Sequence, residues 1–176
     1  YGDAFTGQKQ VTRVGHPAYS FFVNRQVYDL NGKPIEGLYV DESGEGGVVN
    51  GDNADKYIYH NPVADYLLGL SARLEYKNFD LSASARASIG NYVYNQIAAG
   101  ASYDQMQQIG YWKNFTRALA ETDFVKRQFT SDYFVENASF LKLDNISAGY
   151  TFGKLFGTLG ARISFTVQNA LILTKY

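Results

Sequence analysis

The chain has 176 residues, with 17 acidic and 16 basic side chains and a formal net charge of −1. That balance leaves no basic footprint for nucleic acid, and the absence of cysteine excludes disulfides, thiol catalysis and Cys-ligated zinc. Mean hydropathy is −0.27 and no apolar run could form a spanning helix, although a spanning strand set escapes such averages because half of each strand is polar. The compositional outlier is aromatic: 15 Tyr, 12 Phe and one Trp.

Residues 1–17 are polar and Gly-containing and read as loop. The stretch AYSFFVNRQVY, 18–28, is aromatic and strand-like. Two turn clusters follow, DLNGKP and DESGEGGVVNGDNAD, before YIYHNPVADY. Residues 29–65 are therefore expected to form a long loop.

The clearest signal is LSARLEYKNFDLSASARAS, 70–88. Leu70, Ala72, Leu74 and Tyr76 alternate with Ser71, Arg73, Glu75 and Lys77. After a break, Phe79, Leu81, Ala83, Ala85 and Ala87 alternate with Asp80, Ser82, Ser84, Arg86 and Ser88. Period two means strand. Lys77-Asn78 is the break, and Asn tolerates the positive φ of a tight turn. The reading is a hairpin with strands at about 66–77 and 79–94, one face apolar and one polar. A sandwich turns the polar face to water; a transmembrane barrel turns the apolar face to lipid and the polar face to a lumen. Soluble strands run to about 5–6 residues, whereas a tilted spanning strand needs about 9–11.

Alternation lapses over 95–137, a second long loop, with near-helical spacing at 113–129. It returns over 139–152 (SFLKLDNISAGYTF), where a phase slip at Asp144-Asn145 predicts a β-bulge. After GKLFGTLG, a last strand over 161–169 sets Ile163, Phe165 and Val167 against Arg162, Ser164, Thr166 and Gln168. Short turns alternating with long loops suit an outer-membrane barrel, as do aromatics such as Tyr66, Tyr76, Phe79, Tyr92, Tyr94, Tyr150 and Phe152 near strand ends. Four to six strands are too few to close such a barrel, which takes at least about eight. The start at Tyr1, with no initiator Met or signal peptide, and the stop at Tyr176 after a strand-like run lead to the expectation of a piece of a longer wall.

Five stretches carry a family resemblance: VGHPAYSFF (14–22), YDLNGKPIEGLYVDESGEG (28–46), DKYIYHNPVADYLLGLSARLEYKNFDLSASARASIGNYVYN (55–95), ENASFLKLDNISAGYTF (136–152) and VQNALILTKY (167–176). In order, and over nearly the whole chain, they resemble the C-terminal barrel region of SusC/RagA-type TonB-dependent outer-membrane transporters of Bacteroidetes. The resemblance is weakest at 96–135. It implies an all-β fold: a portion of a large antiparallel transmembrane β-barrel of about 22 strands with an N-terminal plug and long extracellular loops. Residues 1–176 would be the C-terminal part of that barrel, without plug or TonB box. It further implies a bacterial outer-membrane location, a SusD-like lipoprotein lid, the TonB complex acting through an N-terminal region, and active import of oligosaccharides or peptides. The alternative, from another class, is a soluble all-β surface module that binds glycan, free of detergent and without an aromatic girdle.

Candidate chemistry is sparse. DESGEGGVVNGD, 41–52, is similar to a Ca²⁺ loop, with Asp41, Ser43, Glu45 and Asp52 at the first, third, fifth and twelfth positions and Gly46 at the sharp turn. Glu at the fifth place, Asp at the twelfth and the extra Gly47 depart from that pattern, and a solvated acidic turn explains the same residues. Tyr111 and Trp112 in GYWKNF are candidates for stacking on a sugar or peptide side chain, or for packing against neighbouring loops. His16 and His60 lack metal-ligand spacing. No nucleotide, HExxH or nucleophile–base frame occurs, so no enzyme activity is expected.

Overall fold

The computed structural model describes residues 4–6, 9–44, 46, 48–49, 55–108, 114, 116–155, 157 and 159–176. In chain order the elements are β1 (Ala4–Thr6), β2 (Gln10–Thr12), β3 (Ser20–Asn24), β4 (Gln26–Tyr28), β5 (Pro34–Val40), β6 (Val48–Val49), β7 (Lys56–Tyr59), β8 (Tyr66–Tyr76), β9 (Phe79–Ile89) and β10 (Tyr92–Tyr94). Three short helices follow, α1 (Gln96–Ala99), α2 (Tyr103–Gln108) and α3 (Arg117–Thr122), then a 3₁₀ turn at Asp132–Phe134 and strands β11 (Val135–Asn137), β12 (Phe140–Leu155) and β13 (Leu159–Thr174).

The chain forms two compact units, one from 1–63 with 92–136 and the other from 64–91 with 137–176. The first holds the buried apolar cores. Ala98, Ala99, Phe124 and Phe134 form one cluster, and Phe21, Val23 and Val135 another. β1-β2-β3-β7 make one sheet and β4-β5-β6 a second. The two long segments expected to be loops thus carry strands and short helices, and they are knitted together by buried polar groups. Gln26 is buried. Its Nε2 donates to the carbonyl of Ile35 at 2.7 Å, its Oε1 accepts from Ser131 Oγ at 2.7 Å, and its backbone N–H donates to Asp132 Oδ1 at 2.9 Å. Tyr57 donates its hydroxyl to Asp132 Oδ2 at 2.7 Å, and Tyr39 donates to Gln128 Oε1 at 2.6 Å. Every buried donor and acceptor here must find a partner or bear the full desolvation cost, so these bonds fix which backbone segments meet.

The second unit is a four-stranded antiparallel sheet in the order β13-β12-β9-β8. β8 and β9 have 11 residues each, and β12 and β13 have 16 each. At about 3.3 Å per residue an 11-residue strand reaches about 36 Å, enough to cross a bilayer core when tilted. The β8–β9 turn falls at Lys77-Asn78, as the alternation predicts, but the positive φ (55°) belongs to Lys77, not Asn78. The predicted bulge is present: pairing slips between Leu143 and Asn145 against both β9 and β13. On β13 the irregularity falls at Asn169, whose φ is 52°. β12 and β13 outrun their expected lengths because Lys154 and Gly160 still pair across GKLFGTLG and, beyond the bulge, residues 171–174 still pair with 140–143; a backbone ladder does not require strict alternation. β9 ends at Ile89, short of its expected end. Tyr92 and Tyr94 belong to β10 in the first unit, so they are not part of the sheet's aromatic edge.

Candidate functional site

The four-stranded sheet has two unlike faces. On one, the register aligns apolar rows: Leu70, Ala85, Leu143 and Leu171; Ala72, Ala83, Ile146 and Val167; Leu74, Leu81, Ala148 and Phe165; Tyr76, Phe79, Tyr150 and Ile163. No polar side chain interrupts these rows. Among the described residues, none of the buried hydrophobic side chains lies in this sheet. Leu74 is 66% exposed and Phe165 71%. A continuous apolar surface of this size is uncommon on a soluble monomer. Near the β8–β9 turn it ends in rings: Phe79 and Tyr150 lie 4.5 Å apart, and Tyr150 meets Phe152 edge-on at 4.8 Å.

The opposite face is polar from the row of Ser71 towards the β8–β9 turn. Arg73, Ser82, Ser147 and Thr166 align, as do Ser71, Ser84, Asn145 and Gln168. Asn145 Nδ2 donates to Ser84 Oγ at 2.7 Å, and the Ser147 and Thr166 hydroxyls bond at 2.8 Å. Ion pairs join Arg73 to Glu75 at 2.7 Å and Arg162 to Asp80 at 2.5 Å. Asp144, at the bulge, faces Arg86 at 3.3 Å and Lys142 at 3.7 Å. Small hydroxyls and crossed charges make a wettable wall that apolar solvent cannot cover. The sequence marks both faces through period two; Arg162, which pairs with Asp80, and Arg86, which pairs with Asp144, lie on strands distant in sequence and carry no local signal.

In the first unit, Asp41 and Ser43 lie in one turn. Asp41 Oδ1 accepts from Ser43 Oγ at 2.7 Å and from the Gly44 amide at 2.9 Å, and Oδ2 accepts from the Gly46 amide. The Ser43 bond foremost, then the two glycine amides, draw the Asp41 carboxyl down to about 2. Glu45 and Asp52 lie outside the described residues, as do Tyr111 and Trp112. Among the described residues no group of three or more His, Cys, Asp or Glu is placed to hold a metal ion. His60 stacks on Tyr92 with ring centroids 3.7 Å apart and planes within 6°, and burial lowers its pKa. Burial first, and the Asp132 carboxylate after it, push the Tyr28 hydroxyl up to about 12 and raise that of Tyr57 further.

No family model matches the chain. It is 42% identical over 178 residues to the TonB-dependent receptor SusC of Bacteroides thetaiotaomicron, covering 95% of this chain and 17% of that protein. A TonB-dependent receptor of Formosa agariphila is 29% identical over 149 residues, covering 79% of this chain and 14% of that protein. Among solved structures, the RagAB peptide importer superimposes in its open-open state with TM-score 0.69 at 19% identity, over 98% of this chain and 20% of that one. Its closed-closed state gives TM-score 0.70 at 22% identity, over 99% of this chain and 21% of that one. The structural likeness identifies the fold as that of a barrel segment. The chain spans less than a fifth of the length of the two receptors it matches in sequence.

Proposed function

This chain belongs to the SusC/RagA-type family of TonB-dependent transporters, a family of transporters and not of enzymes, and from that premise we propose that its four-stranded sheet is part of the wall of an outer-membrane importer. The observation that carries the reading is the sheet's uncovered apolar face, uninterrupted across four strands and edged by Phe79, Tyr150 and Phe152. Lipid is the solvent that such a face requires. Leu74, Leu81, Ala83, Ala85, Ile163, Phe165 and Val167 then face the bilayer. Arg73, Ser82, Ser84, Arg86, Ser164 and Thr166 face the lumen. The first unit, formed by the segments before β8 and after β9, is the extracellular part. Import of oligosaccharide or peptide, a lipoprotein lid of the SusD type and energy from TonB belong to the whole receptor. The names of its relatives, a TonB-dependent receptor and a peptide importer, support the TonB and peptide parts of that reading. A soluble glycan-binding module accounts less well for an apolar face with an aromatic edge and no core above it.

The test places an Arg on each face of β13 in the full-length receptor. Phe165→Arg should lower insertion and folding stability by about 2–4 kcal/mol near the bilayer midplane, and Ser164→Arg by much less. Equal costs at the two positions would overturn the proposal.

A further inference from the structure

The sheet carries an open hollow of about 390 Å³ whose lining includes Leu67, Gly69, Arg86, Ser88 and Phe140. Gly69 makes the room. It stands directly opposite Arg86 in the β8–β9 register, and a Cβ placed on it would meet nothing within 4 Å. On the other side of Arg86 the register places Lys142. Two like charges directly opposite each other weaken a ladder. Asp144, extruded at the bulge, offsets them, at 3.3 Å from Arg86 Nε and 3.7 Å from Lys142 Nζ.

One carboxylate therefore serves two cations. Among the described residues no other acid pairs with either, and the cluster keeps an excess of one positive charge. A guanidinium offers five donors in a fixed fork, and Asp144 meets Arg86 at Nε. The remaining edge suits a second carboxylate, held by two parallel bonds. Beside it, Leu67 and Phe140 form an apolar flank of the hollow. At the floor, the Ser88 hydroxyl donates to Asn91 Oδ1 at 2.8 Å, so its remaining capacity is to accept a hydrogen bond.

We propose that this hollow is a subsite for the carboxylate end of a short peptide whose last side chain is apolar. Arg86, left in excess because Asp144 is shared with Lys142, takes the carboxylate, Leu67 and Phe140 take the side chain, and Ser88 takes an amide N–H. The inference rests on the reading of this face as lumenal. An acidic sugar would satisfy the charge but not the apolar flank.

The experiment measures binding of a leucine-terminated tripeptide and of its C-terminal amide to the purified full-length receptor by calorimetry. The free acid should bind about tenfold more tightly than the amide, the scale of one charge-assisted contact. Arg86→Gln should abolish that difference. Asp144→Asn, which releases both cations, should tighten binding of the acid, a gain that damage to the fold cannot produce. Equal binding of acid and amide overturns the subsite, as does equal weakening of both by Arg86→Gln. So does a uronate disaccharide that depends on Arg86 where the peptide does not. If Phe165→Arg and Ser164→Arg have still shown lipid on the apolar face, the wall reading stands and only the subsite falls.

Discussion

Asp80 of β9 and Arg162 of β13 are joined across the intervening β12, Oδ1 to Nη2 at 2.5 Å, directly above Gly149. Asp80 and Gly149 are register partners. A Cβ on Gly149 would lie 2.4 Å from Asp80 Oδ2 and 2.7 Å from Arg162 Nη2. The glycine is there for space: it leaves a slot through which two strands that do not pair are clamped over a third.

Gly149→Ala should therefore break the clamp or force β12 outward. Arg162 is half exposed, so the ion pair alone contributes less than about 1 kcal/mol, and the steric clash adds to that. The midpoint of thermal unfolding of the full receptor in detergent should fall. In an Asp80→Ala background the same substitution should cost distinctly less, because the carboxylate it collides with is gone. Equal costs in both backgrounds would separate Gly149 from the clamp.

Tyr150 touches both Phe79 and Phe152, at 4.5 and 4.8 Å. Such contacts add about 0.5–1.5 kcal/mol beyond area burial. Tyr150→Ala should destabilise the barrel more than Ile163→Ala at its register neighbour, which removes an aliphatic side chain and no aromatic pair. Unfolding of the two variants in the same lipid vesicles checks the order.

Gln26→Leu should loosen the first unit and leave the barrel sheet intact. It removes the acceptor of the Ser131 hydroxyl, which keeps only the bond it accepts from the Tyr133 amide, and takes the Gln26 amide donor from the Ile35 carbonyl. Each buried polar group left unpaired costs about 1–3 kcal/mol. Limited proteolysis should cut within 92–136 faster than in the wild type, while the heat-resistance of the barrel is unchanged. A variant whose sheet and loops fail together would show that the cross-tie is not local.

The Asp41 carboxyl sits at about 2, below its ordinary value of 3.8, because Ser43, Gly44 and Gly46 donate to its charged form. Its contribution to the turn is present above pH 3.8 and is lost as pH falls through about 2. Amide exchange at Gly44 and Gly46, corrected for intrinsic rate, should stay slow down to pH 4 and accelerate towards pH 2. Asp41→Asn should accelerate it at neutral pH. If the loop also takes Ca²⁺ as its spacing suggests, calorimetry on the intact receptor will register uptake that Asp41→Ala abolishes.

The sheet was legible in residues 70–88 and 139–169 because a strand writes its two faces into every second residue. Leu74, Ala83 and Phe165 fall on one side, and Arg73, Ser84 and Ser164 on the other, before any partner strand is known. The slip at Asp144 shows for the same reason, as one residue too many in the alternation. The ends of β12 and β13 were not legible, because the pairing of Lys154 with Gly160 depends on backbone groups that every residue carries. Nor was the first unit, whose ties are polar side chains such as Gln26 and Ser131, 105 positions apart.

By itself, then, the sequence determined the strand hairpins, their apolar and polar faces and the family they resemble, because these are periodic and local properties. The tertiary structure alone decided that Arg162 meets Asp80 over Gly149, that Arg86 and Lys142 share Asp144, and that two long inter-strand segments fold into one body. Those pairings depend on register between distant strands and on the need of each buried polar group for a partner, and neither is written in any short stretch of chain.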